Sequence, residues 1–292
     1  MNILITGGTG LIGSALCEAL LAEGHRLTVL TRSKGQDRAG LRFITEFSQC
    51  VDTVDAVINL AGAGLADRRW TPAYKREIRA SRVDLTDDLV AWMSEQKTPP
   101  KRLISGSAIG FYGADAQATF TEDAVLGAGF SAELCHAWEV AAARAVHAGS
   151  EVTCLRLGVV LAREGGALGK MTQSFRLGME TWLGSGDQWF SWVHLEDVVR
   201  VILYALTAPS VSPVYNAVAP EPVRHRQFAR EVGARSFTLL SAGVPAFMAR
   251  LLAGEMADEL LLSGQHVVPA QLTHEGFTFR FSTLAEALSD LL

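Results

Sequence analysis

The chain has 292 residues, 49% of them hydrophobic, with 26 Lys and Arg against 31 Asp and Glu and a formal net charge of -5. That much apolar content buries a large core, which excludes global disorder and allows one big domain or a domain with a smaller lobe. The acidic balance and the absence of any Lys/Arg run exclude a nucleic-acid binder, which needs a basic patch or stripe, and no apolar stretch approaches the roughly 20 residues of a membrane span.

In chain order, Ile3-Leu4-Ile5 is a short apolar run that stops at glycines and has no basic segment before it, so it reads as a buried strand rather than a signal peptide. The cysteines Cys17, Cys50, Cys135 and Cys154 are scattered without CxxC spacing, which favours reduced, buried thiols over a disulfide framework or zinc site. A cytoplasmic protein is expected. After the strand comes Thr6-Gly7-Gly8-Thr9-Gly10-Leu11-Ile12-Gly13, then an amphipathic helix through Leu16, Leu20 and Leu21 to a stop at Gly24, and a second strand, Leu27–Leu30. Strand, helix and strand in about thirty residues make a right-handed βαβ unit.

The glycines sit where a dinucleotide's diphosphate requires them. Gly7 allows the tight turn, Gly10 keeps a side chain out of the pyrophosphate's way, and Gly13 lets the helix pack closely on the strand. The N–H groups of the following helical turn, with Thr9, Leu11 and Ile12, then face the anion. At the end of the second strand an NAD site carries an acidic residue for the ribose 2′-hydroxyl. Here stand Thr31-Arg32-Ser33-Lys34. A guanidinium pairs with a 2′-phosphate and the Thr31 and Ser33 hydroxyls can donate to it, so NADP(H) is preferred over NAD(H). The alternative for Arg32 and Lys34 is a solvated turn.

The alternation continues with Ala56–Leu60 as a strand, a helix from Pro72 to about Glu95, a strand over Arg102–Ser105, a helix from Ser131 to about His147, and a strand over Val152–Leu157. This pattern predicts a doubly wound α/β protein, a parallel sheet covered on both faces. Asn59-Leu60-Ala61-Gly62 then lies at the carboxyl edge, either against the adenine and ribose or as a simple turn. After Gly158 the composition becomes loop-like, and a helix near Asp197–Leu206 and a strand near Val214–Val218 return to the sheet. The expected division is a Rossmann domain over 1–220, with a substrate-loop insertion about 162–192, and a small C-terminal substrate lobe over 240–292.

Four further motifs join these: Ser105-Gly106-Ser107 before Tyr112-Gly113, Trp192-Val193-His194-Leu195-Glu196-Asp197, Leu134-Cys135 with Trp138-Glu139, and Gly276–Phe281. Together with the glycine motif they resemble the extended short-chain dehydrogenase/reductase superfamily. The chain is most similar to its atypical epimerase-like subfamily, in which an NAD-dependent epimerase/dehydratase-like domain precedes a short domain of unknown function. The resemblance implies NADP contacts at Thr31, Arg32, Leu60, Ala61, Glu77 and Arg82. From the residues alone, Glu77 and Arg82 read equally well as an exposed ion pair.

The superfamily's Tyr-x-x-x-Lys pair is missing, for Ser131 and Cys135 stand at those helical positions. A serine hydroxyl without a base and a buried thiol cannot replace it. Ser107 is the candidate donor to a substrate carbonyl, and Tyr112 is the nearest phenol, with a structural Tyr-Gly turn as its alternative. Lys170 is a substrate contact or a solvated lysine, and His194 reads as a hydrogen-bonded core or loop histidine. Two functions follow: an NADP(H)-dependent oxidoreductase or nucleotide-sugar-epimerase-like enzyme of unknown substrate, or a nucleotide-binding regulatory protein without turnover. The expected partner is a small molecule, with no nucleic acid and no membrane, and the chain itself is expected to be a monomer or homodimer.

Overall fold

The structure, a computed structural model, describes residues 1–32 and 35–292. Seven strands form one sheet: β1 (Asn2–Thr6), β2 (Arg26–Leu30), β3 (Leu41–Ile44), β4 (Ala56–Asn59), β5 (Arg102–Ala108) and, after the separate β6 (Asp115–Phe120), β7 (Glu151–Leu157) and finally a strand over Val214–Ala217. The intervening helices are α1 (Leu11–Ala22), α2 (Pro72–Arg79), α3 (Leu85–Glu95) and α4 (Phe130–Ala143). Beyond β7 come β8 (Val159–Leu161), α5 (Gly166–Met171), β9 (Met179–Leu183), β10 (Trp189–Phe190), β11 (Trp192–His194), α6 (Leu195–Thr207) and β12, the Val214–Ala217 strand. The chain ends with β13 (Val223–Arg224), α7 (His225–Gly233), β14 (Leu240–Val244), α8 (Ala246–Ala253), β15 (Gln265–Val267), α9 (Ala270–His274) and α10 (Leu284–Leu291).

The large sheet runs β3-β2-β1-β4-β5-β7-β12 with every pair parallel. Ile3, Leu4 and Ile5 are at most 1% exposed, as a strand covered on both faces demands. On one face Leu16 and Leu20 of α1 and Val198 and Ile202 of α6 join the core; on the other, Leu89 and Met93 of α3 and Ala142 of α4 do so. Each of the Leu, Val, Ile and Met side chains among them contributes roughly 1.5–3 kcal/mol by burial, and the Ala142 methyl less. The doubly wound plan read from the alternation is the observed one. Strand order reverses between β1 and β4, and at that switch point the carboxyl ends of neighbouring strands diverge into a crevice. Register aligns Thr6 with Asn59 and Asn59 with Ser105 along this edge.

Three elements differ from the sequence reading. The helix expected from Pro72 to Glu95 is interrupted by a π-helical turn, Ala80–Asp84, and the one ending near His147 finishes as a 3₁₀ turn, Arg144–Ala148. β3 was not expected: its four residues, Leu41-Arg42-Phe43-Ile44, are too short to show a period, and it exists because β2 offers it a parallel edge. The C-terminal segment is tied to the main core, since Leu272 and Phe279 pack with residues of the sheet and α6, and β15 pairs with β6. All four cysteines are free; Cys17, Cys135 and Cys154 are buried and Cys50 is half-buried. Among the described residues no helix is long and apolar enough to cross a membrane.

Candidate functional site

The site begins where β1 hands over to α1. Gly7 has φ +71°, and a Cβ there would lie 2.6 Å from the Leu60 carbonyl, so only glycine fits. A Cβ on Gly13 would collide with the Gly7 carbonyl oxygen, which is why the helix can begin so close to the strand. Gly10 is different. Its backbone N–H donates to Gly7 O (3.0 Å), but a Cβ would meet nothing nearer than that same oxygen at 3.3 Å and otherwise points into open space. Thr9 and Gly10 are exposed and Leu11 and Ile12 half-buried, so the first helical turn presents its unsatisfied N–H groups outward. This glycine turn fits a diphosphate, since a Gly10 Cβ, which would touch only the Gly7 carbonyl oxygen, would otherwise occupy the anion's space.

Beside it a buried polar network holds the sheet edge. Thr6 Oγ1 donates to Asn59 Oδ1 (2.6 Å), and Asn59 Nδ2 donates to Thr86 Oγ1 (2.8 Å) and Ser105 Oγ (3.1 Å). The Trp138 indole donates to Thr86 Oγ1 (3.0 Å), and Ala61 N donates to Thr6 Oγ1 (3.2 Å). These bonds fix the loop Leu60–Gly62 across three strands and two helices, a linkage that the individual motifs do not announce.

The π-helical turn aims Arg82 at this loop. Its Cζ lies 2.7 Å from where a Gly62 Cβ would be and 5.4 Å from the Trp138 ring centroid, and burial lowers its pKa. Among the described residues no carboxylate pairs with it. Glu77 instead faces outward, pairing with Arg68 at 3.4 Å with both side chains largely exposed. The structure therefore separates the two residues that the sequence left as a possible ion pair. Thr31 is half-buried and Arg32 exposed at the end of β2; Ser33 and Lys34 lie outside the described residues.

A cavity of about 540 Å³ runs from Ile12, Leu60–Gly62 and Arg82 past Ser107 and Cys135 to a far chamber formed by Gln188–Ser191, His225 and residues of the C-terminal segment. Ser131 and Cys135, one turn apart on α4, both line it, and Ser131 Oγ has no hydrogen-bond partner. Burial pushes the Cys135 thiol up to about 11, so it is protonated at neutral pH. Ser107 lines the cavity too, but its hydroxyl donates to Glu139 Oε1 (2.6 Å), and Glu139 is held by a two-pronged pair with Arg156 (2.8 and 2.9 Å). Tyr112 is not in the cavity wall. Its hydroxyl donates to Asn216 Oδ1 (2.6 Å) and accepts from Arg156 (2.9 Å), its ring stacks on Phe120, and burial raises its pKa.

Lys170 lines the cavity and pairs with Asp67 (3.4 Å). His194 caps α6, its Nδ1 accepting from Glu196 N (3.1 Å), and its ring lies 3.9 Å from that of Phe281. The neighbouring Asp197, fully buried, accepts from Arg280 N (2.8 Å) and Phe281 N (2.9 Å) and so ties the Gly276–Phe281 stretch to α6. Sequence reasoning missed two residues. His225 lines the cavity while its Nδ1 is buried and without a hydrogen-bond partner, and Glu259 caps α4; neither carries a local motif.

Comparison with known proteins fits this geometry. The model of the NAD dependent epimerase/dehydratase family matches residues 3–218, and that of a domain of unknown function matches residues 244–291. An epimerase family protein of Mycobacterium leprae is 37% identical over 291 residues, covering 98% of this chain and 94% of its own. The crystal structure of human epimerase family protein SDR39U1 with NADPH superposes with a TM-score of 0.91 at 32% identity, over 100% of this chain and 99% of that one. A nucleoside-diphosphate sugar epimerase of Corynebacterium glutamicum gives a TM-score of 0.81 at 31% identity, over 99% of this chain and 57% of that one. On a family model that spans most of its length and relatives aligned nearly end to end, the chain belongs to the NAD-dependent epimerase/dehydratase family.

Proposed function

We propose that the chain binds NADP(H) along the carboxyl edge of its sheet and acts as an oxidoreductase on a small molecule held in the adjoining chamber. The observation that carries this reading is Arg82: a half-buried guanidinium at the nucleotide edge, with no carboxylate partner among the described residues, is completed by an anionic ligand. The N–H groups over Gly7–Gly13 would hold the diphosphate, Leu60–Gly62 the adenosine side, and Thr31 and Arg32 the 2′-phosphate. Bound there, the nicotinamide supplies the hydride chemistry. The NADPH in the human relative's crystal structure supports the choice of cofactor.

The chain's own side chains bind and orient rather than shuttle protons. The Ser107 proton is committed to Glu139, Cys135 holds its own, and Tyr112 takes no part in this reading because its hydroxyl is spent on Asn216 and Arg156. A second reading, a nucleotide-binding regulatory protein without turnover, draws on the same fact, since Ser131 and Cys135 occupy the cavity positions of the missing pair. Incubation with NADPH and a panel of carbonyl compounds, following absorbance of the reduced nicotinamide, separates the two: turnover supports the enzyme, tight binding without turnover the regulator. Arg82→Met tests the shared premise. It should weaken NADPH and NADH alike by about tenfold or more while leaving the melting temperature of the free protein unchanged or raised, because an uncompensated cation is removed. Unchanged affinity for both nucleotides in calorimetry would refute the assignment.

A further inference from the structure

β14 pairs with β9 in a parallel sheet of only two strands, and among the described residues no strand covers its other edge. Leu240 to Gly243 are exposed. The hydrogen bonds at the ends of β14 decide which backbone groups that edge holds: Leu240 N donates to Gly178 O (3.3 Å), and Val244 O accepts from Gly184 N (2.9 Å). Residues 240, 242 and 244 thus bond toward β9, and the alternation of a strand turns the N–H and C=O of Ser241 and Gly243 the other way. Among the described residues none of these four groups has a hydrogen-bond partner. Nor does β14, Leu240-Ser241-Ala242-Gly243-Val244, contain the charge, proline or bulge that usually guards an open edge.

Large apolar side chains stand at both ends of this strand. Phe237 and Leu239 precede it and Leu240 opens it; after one residue, Pro245, α8 follows with Phe247, Leu251 and Leu252. These six residues are 67–79% exposed. α8 is turned inside out, with the small Ala249 and Ala253 buried in the core and its large side chains left to water. The six together expose roughly 800 Å², about what each partner of a standard interface buries. A lipid surface would take the apolar groups but offers nothing to the four backbone groups between them. A second strand with apolar flanks satisfies both.

We infer that this edge joins two copies of the chain, β14 lying antiparallel against the β14 of its partner about a twofold axis at Ala242. That register pairs Ser241 with the partner's Gly243 and Gly243 with the partner's Ser241, so all four free groups of each copy are bonded, while Ala242 faces the partner's Ala242. Antiparallel pairing sets the end of one strand beside the start of the other, which brings the apolar face of each α8 to the partner's Phe237, Leu239 and Leu240. β9 ends at Leu183, and Leu260 and Leu261 follow α8; all three line the cavity, so the seam braces segments that enclose the chamber. The pairing needs no bound nucleotide and stands apart from the cofactor reading.

The test is sedimentation velocity on the purified protein, which should be a dimer at about 10 μM. Ala242→Lys sets two like charges face to face on the axis, and Leu251→Lys places one on the outer face of α8. Each should weaken the dimer about tenfold or more, with circular dichroism and NADPH affinity as in the parent. Ala242→Cys should give a disulfide-linked dimer on mild oxidation, because residues opposed in a non-hydrogen-bonded pair stand about 4.5 Å apart at Cα. The parent, whose cysteines are buried or half-buried, should not cross-link, and this readout serves if a lysine variant does not fold. A parent that is monomeric at that concentration, a dimer indifferent to either lysine, or an Ala242→Cys chain that does not cross-link overturns the inference. So does a monomer that co-sediments with phosphatidylcholine vesicles, which would assign the apolar groups to lipid.

Discussion

Two arginines do different work at the residue scale. Arg32 is exposed at the end of β2, within reach of a ligand at the sheet edge. Arg32→Asp should therefore weaken NADPH by on the order of a hundredfold and NADH far less, since a forked guanidinium–phosphate contact becomes a repulsion; equal losses in parallel titrations would rule out Arg32 as the selector of the 2′-phosphate. Arg156 is buried, its side chain 5% exposed against 12% for Glu139, and the pair also fixes Ser107 and Tyr112. Glu139→Ala leaves that guanidinium without its carboxylate, so the chain should lose about 3–5 kcal/mol in denaturant unfolding. A loss below about 1 kcal/mol would mean that water or another group takes the carboxylate's place.

At the scale of elements, the β1–α1 junction combines two demands that separate substitutions can distinguish. Gly13→Ala forces a methyl against the Gly7 carbonyl and should lower stability and cofactor affinity together. Gly10→Val meets only open space beyond Gly7 O, so the chain should melt close to the parent temperature and yet lose nucleotide binding. Retained affinity in Gly10→Val would contradict the placement of the diphosphate. This junction was legible in the sequence because its glycines, strand and helix are contiguous in the chain, although the Leu60 carbonyl that Gly7 must clear lies far along it. The π-helical turn at Ala80–Asp84 was not. Nothing in Ala80-Ser81-Arg82-Val83-Asp84 marks a widened turn, yet it directs Arg82 inward and leaves Glu77 outside.

At the scale of the whole molecule, buried histidines make folding sensitive to acid. His225 titrates near 6.5 when unfolded and is lowered to about 4 by burial when folded, so the unfolded chain takes up the proton first. Its contribution is complete above pH 6.5 and is lost as pH falls toward 4, by on the order of 3 kcal/mol at most. His194, also lowered by burial, adds a loss of the same sign. Melting temperature should fall across this interval, and His225→Asn should flatten the decline; a variant whose profile overlays the parent would show that His225 is not buried neutral.

Local spacing alone specified the alternation of strands and helices, the glycine turn, the basic end of β2 and the absence of a Tyr-x-x-x-Lys pair, since each is written in residues close together in the chain. Tertiary structure decided which side chains reach the cavity. Glu259 caps α4 from more than a hundred residues away, Asp197 holds the backbone of Arg280 and Phe281, and Tyr112 is turned from the cavity by Asn216 and Arg156. These contacts join segments with no periodic or motif relation. They come into being only when the sheet closes and the last strands and helices dock on it, and until then neither a hydroxyl's partner nor a cation's lack of one has been determined.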